Sequence, residues 1–265
     1  MTDFYLLWTA FILGIVEGVT EFLPVSSTGH LIIAGDLLGF KNSTHEVFEI
    51  VIQLGAIMAV VIEYRKKLLA TVLGLTHEKS AQDLAINLIL AFIPAAILGL
   101  LFHSQIKAYL FNPTTVSIAL IIGGVAMIAI EKKMPKKITK TKTIKKSQAL
   151  IVGLAQCLSL IPGVSRAAST IMGGVLCGLD RRTATEFSFY LAIPVIFAAS
   201  MFDLLVNWDI LTFQDLPVIS VGFVAAFISA TFVIRIFIQY VANHTFVTFG
   251  WYRIIIGLVT LYYFY

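Results

Sequence analysis

The chain has 265 residues, of which 58% are hydrophobic and only 13% charged, with a mean hydropathy of +0.92. Those values exclude an ordinary soluble domain, and the lack of short segments alternating apolar with polar residues excludes an outer-membrane barrel. The formal charge of +4 gains meaning only when mapped onto the segments.

In chain order, the first apolar piece covers about 4–23 and has no lysine or arginine before Lys41, so no cleaved signal peptide is expected. It carries Glu17 and Glu21, breaks at Pro24, and continues through Ser26-Ser27-Thr28-Gly29-His30 into a short apolar piece, 28–39. Spans follow at about 46–64, 84–102 and 114–131. Next come a lysine-rich loop at 132–146 and a second broken pair, 147–161 and 166–178. This pair is joined by Pro162-Gly163-Val164-Ser165-Arg166. Spans at 184–204, 217–240 and 247–264 complete the chain. Pieces 28–39 and 166–178 fall short of the roughly 20 residues that cross a bilayer. Each therefore reads as the return arm of a re-entrant hairpin, whose broken backbone is tolerated only inside protein or beside a wet cavity.

The halves resemble each other. Gly14, Glu17, Pro24 and Ser27 fall opposite Gly153, Gln156, Pro162 and Ser165 at offsets of 138–139, and Ala91-Phe-Ile-Pro-Ala recurs as Ala226-Phe-Ile-Ser-Ala. One hairpin and three spans per half make the second repeat inverted. The expectation is an all-α integral membrane protein with six spanning helices, two re-entrant helical hairpins and an inverted-topology internal repeat. The single membrane domain, 1–265, divides into repeats 1–131 and 147–265 around a basic cytoplasmic loop, 132–146. Loops 65–83, 132–146 and 179–183 hold most of the 19 lysines and arginines, so they are expected in the cytoplasm, with both termini outside. The lysine run is read as a topology determinant rather than a nucleic-acid site. Cys157 and Cys177, lacking metal-ligand spacing, read as buried small hydrophobes.

Ionisable groups at membrane depth are functional suspects by default. Glu17 and Glu21 share a helix face, about 5–6 Å apart at Cβ, which suits a divalent metal or an acid–base pair. Glu49 is a further candidate metal ligand. Ser26 to His30 open a short helix, where free N–H groups and hydroxyls form an anion pocket. There Ser27 or His30 could be the nucleophile. Gly163, Ser165, Ser169 and Thr170 repeat the device around Arg166, whose planar fork matches phosphate oxygens. Carboxylates facing an arginine–hydroxyl loop make a phosphate site, although carboxylates alone could equally hold a transported cation.

At these residues the chain resembles the bacterial undecaprenyl-diphosphate phosphatases of the bacitracin-resistance family. The glutamate motif stands as Glu17-Gly-Val-Thr-Glu21 running into Phe22-Leu-Pro-Val-Ser-Ser-Thr-Gly-His30, and the second motif as Pro162-Gly-Val-Ser-Arg-Ala-Ala-Ser-Thr170. The resemblance implies hydrolysis of undecaprenyl diphosphate to undecaprenyl phosphate and inorganic phosphate, recycling the carrier for cell-wall synthesis. It also implies a divalent cation, Mg2+ or Ca2+, and a multi-pass plasma-membrane enzyme whose site opens outward, with a homodimer allowed. Glu17, Glu21, Ser27, His30, Ser165, Arg166 and Thr170 carry over as site positions, with Ser26, Thr28, Gly163 and Ser169 beside them. Ala167 and Ala168 stand where the family has serine and a glycine, so a hydroxyl contact is lost or moved to Ser169. The competing readings are a lipid-carrier flippase or an ion-coupled transporter and, last, a non-catalytic scaffold.

Overall fold

The computed structural model describes residues 4–40, 45–134, 143–206, 213 and 215–265, and among these every regular element is helical. In chain order they are α1 (Phe4–Thr20), α2 (Ser27–Leu37), α3 (His45–Glu63), α4 (Arg65–Gly74), α5 (Lys79–Leu110) and α6 (Pro113–Lys133). Then follow α7 (Lys146–Gln156), a 3-10 turn (Cys157–Leu160), α8 (Arg166–Leu176), α9 (Arg181–Val206), α10 (Leu216–Val241) and α11 (Val247–Phe264). Helices α5, α6, α9, α10 and α11 are each long and apolar enough to cross a membrane, and α3 with α4 makes a sixth if the bent pair is one span. The protein is thus a multi-pass helical membrane protein, with expected spans and observed helices in register.

Two stretches differ from expectation. The segment 65–83, expected as a loop, begins with α4, which leaves the axis of α3 at 74°. Arg65, Lys66 and Lys67 lower the local hydropathy there, but three leucines and Val72 continue the helix behind them. Helix α5 runs to Leu110, beyond the predicted end near 102, until Asn112 caps α6 by accepting from Thr115 N at 2.8 Å.

Helix packing follows the small residues. On α1, Gly14 and Gly18 form the G-x-x-x-G pattern that lets apolar helices approach at backbone distance. A Cβ on Gly14 would lie 2.3 Å from the Gly222 carbonyl oxygen, and one on Gly18 only 2.2 Å from Ser229 Oγ, so α1 lies flush on α10. The other broken helix, α7, lies on α5, where Gly153 meets the Ala91 backbone. Helix α10 also packs on α3, α3 on α9, and α6 on α11.

Helices α2 and α8 are 11 residues each, about 16 Å long, half of a bilayer's hydrocarbon core. Their starts converge. The largest apolar cluster joins Phe22 after α1, Ala167 and Ile171 of α8, Phe189 of α9 and Phe237 of α10. Phe22 meets Phe189 edge-on at 5.3 Å between centroids. Outside this centre, large side chains such as Ile89, Leu100, Leu101 and Phe232 are well exposed, as expected where the solvent is lipid.

Candidate active site

Each break between paired helices ends in a serine of unusual backbone. Ser26 has φ 72° and Ser165 φ 74°, the only non-glycine residues with positive φ among the described residues. Each caps the helix behind it, Ser26 Oγ accepting from Gly29 N at 3.4 Å and Ser165 Oγ from Ala168 N at 3.2 Å. The residue equivalent to Ser165 is therefore Ser26, which corrects the sequence pairing of Ser165 with Ser27. The cause is the place of the proline: Ser26 and Ser165 follow Glu17 and Gln156 at the same distance, but Pro162 stands one residue earlier in its turn than Pro24, with Gly163, at φ 91°, filling the added place before Ser165. A Cβ on Gly163 would come within 2.6 Å of the Val116 carbonyl oxygen, so that turn rests directly on α6.

Ser27, buried in the first turn of α2, donates from Oγ to Glu21 Oε2 at 2.6 Å. The other oxygen of Glu21, Oε1, receives Arg166 Nη2 at 3.1 Å. Both partners of this ion pair are about nine-tenths buried, so each charge relies on the other. Arg166 Nη1 donates to the Ser188 carbonyl at 3.1 Å and to Ser188 Oγ at 3.2 Å. Thr170 Oγ1 shares a 2.6 Å hydrogen bond with Ser188 Oγ and donates to the Arg166 carbonyl at 2.8 Å. The guanidinium carbon lies 5.7 Å from the centre of the Phe22 ring. Serine, carboxylate and guanidinium from two separate turns thus form one chain of hydrogen bonds.

Around that chain lie polar atoms with no partner. Glu17 is fully buried, and neither of its carboxylate oxygens accepts a hydrogen bond; Arg166 Nε, Ser169 Oγ and Gln156 Oε1 are likewise orphaned. Glu21, Glu49 and Arg166 are the charges that bear on Glu17. Leaving a buried carboxylate unpaired is expensive, so this corner is shaped for something that arrives. Among the described residues no three acids, histidines or cysteines converge as a complete metal cage. The donor set instead fits a hard cation of the Mg2+ type, which keeps several waters and takes one or two carboxylates plus substrate phosphates. Glu17 would hold it, with Glu21 and the half-buried Glu49 nearby.

His30 faces away from this chain. Its Nδ1 hydrogen-bonds the Ser26 carbonyl at 2.7 Å and its Nε2 the Tyr252 hydroxyl at 2.7 Å. Thr28 is half-buried, and Ala167 packs into the apolar cluster with no exposure. The hydroxyl expected to compensate for Ala167, Ser169, makes no hydrogen bond within the protein.

Sequence reasoning missed three contributors. Ser188 looked like any polar residue of a span. Tyr252 carried no signal. Arg253 is a cation in apolar sequence, but its partners are backbone carbonyls, which no side-chain pattern reveals. It donates to Pro24 O at 3.2 Å, Val164 O at 2.8 Å, Gly163 O at 3.0 Å and Ala119 O at 3.3 Å, with Leu120 O at 3.5 Å. One buried guanidinium therefore ties the first turn, the second turn and α6. Gly123 makes room for it, since a Cβ there would lie 2.2 Å from Nη2.

Residues 10–259 match the family described as Bacitracin resistance protein BacA. The chain is 51% identical over 260 residues to an undecaprenyl-diphosphatase of Aromatoleum aromaticum, covering 98% of this chain and 95% of that protein. It is 51% identical over 268 residues to an undecaprenyl-diphosphatase of Methylobacillus flagellatus, with 99% of both covered. Undecaprenyl-diphosphatase 1 of Burkholderia cenocepacia is 48% identical over 264 residues, with 98% of this chain and 96% of that protein covered.

Proposed function

The chain belongs to the BacA family of bacitracin resistance proteins, and on that premise we propose how its buried site carries out the reaction. The protein is an undecaprenyl-diphosphatase: it hydrolyses undecaprenyl diphosphate to undecaprenyl phosphate and inorganic phosphate. The diphosphate enters between the two turns while the prenyl chain remains among lipid-facing helices.

Ser27 is the nucleophile. Its Oγ attacks the terminal phosphorus and its proton passes to Glu21 Oε2, already 2.6 Å away. The Oγ–P bond forms as the bond from phosphorus to the bridging oxygen breaks, and undecaprenyl phosphate departs. Water then attacks the phosphoserine, Glu21 returns its proton to Oγ, and phosphate leaves as H2PO4−. Arg166 holds Glu21 in place and, with its free Nε and the unengaged Ser169 hydroxyl, meets phosphoryl oxygens as charge develops. Glu17 would hold a divalent cation, which would supply further neutralisation of phosphate charge. Ser26, Ser165 and Gly163 shape the turns, Thr170 ties α8 to Ser188, and Thr28 lies beside the attacking serine in sequence.

We further propose that the two hairpins are re-entrant and related by an inverted repeat, which the matching cap serines support. The site opens toward the external face and both termini lie outside. In favour of this, Arg181 binds Glu131 while Lys67 lies 5.8 Å from the Tyr190 ring centre, gathering the basic loops at one end.

The observation that carries the mechanism is the Ser27–Glu21–Arg166 chain, which a simple ion-coupled carrier does not require. The test is phosphate release from a long-chain prenyl diphosphate by protein in detergent, where a carrier that only moves lipid releases none. Ser27→Ala is expected to lower turnover on the order of 10³-fold or more, with Glu21→Gln and Arg166→Ala similarly impaired. Near-normal turnover in Ser27→Ala would remove serine as nucleophile.

A further inference from the structure

Ser26 holds a backbone conformation that a non-glycine residue adopts at a cost of about 1–3 kcal/mol, and one that persists only when its surroundings impose it. Its own cap bond is long, 3.4 Å, and so is the helical bond from His30 N to the Ser26 carbonyl, also 3.4 Å. The short contact on this residue is the 2.7 Å bond between that carbonyl and His30 Nδ1. A carbonyl only accepts, so Nδ1 carries a proton, and in the neutral imidazole Nε2 is then left with its lone pair. The Tyr252 hydroxyl lies 2.7 Å from that nitrogen and therefore donates to it. The two rings are parallel within 2° with centroids 5.6 Å apart.

We propose that Tyr252 is a positioning residue of this enzyme. It fixes the tautomer and rotation of His30, which in turn fixes the Ser26 peptide and, one residue on, the Ser27 hydroxyl. The claim rests on the reading that Ser27 is the reacting group. Three further observations support it. Tyr252 is anchored by its neighbour Arg253, fully buried and bonded to carbonyls of both turns. The second hairpin, which carries no reacting serine in this mechanism, lacks the device: four residues beyond Ser165 stands Ser169, whose hydroxyl has no partner. Its cap carbonyl instead takes an ordinary 3.0 Å helical bond from Ser169 N. Finally, both nitrogens of His30 are engaged away from Glu21 and Ser27, which is the geometry of a brace and not of a proton carrier at the nucleophile.

The experiment is 15N NMR of histidine-labelled protein in detergent micelles, with His30 assigned by its loss in His30→Gln, alongside steady-state phosphate release. The wild-type protein is expected to show His30 as the Nδ1–H tautomer. In Tyr252→Phe the Nε2 resonance shifts as its donor disappears, and kcat falls about 10- to 100-fold, the usual size of a small misplacement at a reacting centre, with KM unchanged. An Nε2–H tautomer in the wild type, or wild-type kcat in Tyr252→Phe, overturns the proposal. Should Tyr252→Phe fail to fold, the wild-type spectrum alone decides. Retained turnover in Ser27→Ala would instead sink the mechanism while leaving the His30 tautomer as found, so the two failures are distinguishable.

Discussion

Glu17 is the residue whose environment least suits stability. A carboxylate with no exposure and no hydrogen bond costs folding free energy that a neutral amide of the same shape would partly recover. Glu17→Gln is therefore expected to raise the thermal midpoint in detergent while phosphate release falls and its dependence on added divalent cation flattens. A variant both less stable and fully active would assign Glu17 to structure instead. At this scale the sequence was informative wherever chemistry is carried by side chains: acids and an arginine at membrane depth announce themselves, and Glu21 and Arg166 do meet. It was uninformative where the partner is main chain. Arg253 satisfies itself entirely on carbonyls, and the choice between Ser26 and Ser27 as the counterpart of Ser165 turned on a proline displaced by one residue between the two turns.

Among the elements, α1 carries Glu17 and ends directly before Glu21, and it owes its placement to contact at Gly14 and Gly18. A methyl group at Gly18 would fall 2.2 Å from Ser229 Oγ and 2.3 Å from the Ala226 carbonyl, and backbone cannot yield as a flexible side chain can. Gly18→Ala should cost about 1–3 kcal/mol, typical of overpacking, and push Glu17 and Glu21 out of register with Arg166. Thermal unfolding and phosphate release should therefore drop together. Gly39→Ala supplies the contrast, since nothing lies within 4 Å of a Cβ there and only the local φ is strained. Hydrophobic length was enough to locate the spans, because crossing the bilayer imposes it. It did not locate α4, whose first turn is made of three successive cations just past the bend at Tyr64, nor the extra length of α5, which no membrane thickness demands.

For the whole molecule, the decisive link is Arg253, because it joins elements distant in sequence: the turn after α1, the turn before α8, and α6. Lysine in its place offers three donors from one point and no planar fork. Arg253→Lys is expected to lose at least two of these five hydrogen bonds, at about 0.5–1.5 kcal/mol each. It should loosen both turns at once, lowering the unfolding midpoint and turnover although residue 253 touches no substrate. Wild-type values for both measurements would show that the turns hold each other without it. At the other end of the bundle, Glu131 accepts Arg181 Nε at 2.9 Å and Phe246 N at 3.2 Å, closing the face where the basic loops gather. A duplicated pattern was visible in the residues, but what unites the halves lay in atoms that a pattern of side chains does not encode.

That shared guanidinium also constrains how such a molecule can change. A substitution that shifts one elbow by a fraction of an ångström is felt at the other as a misaimed hydrogen bond, so neither can be exchanged or reshaped alone. The acidic and cationic elbows are thereby constrained to change together, and the last helix of the chain imposes that constraint.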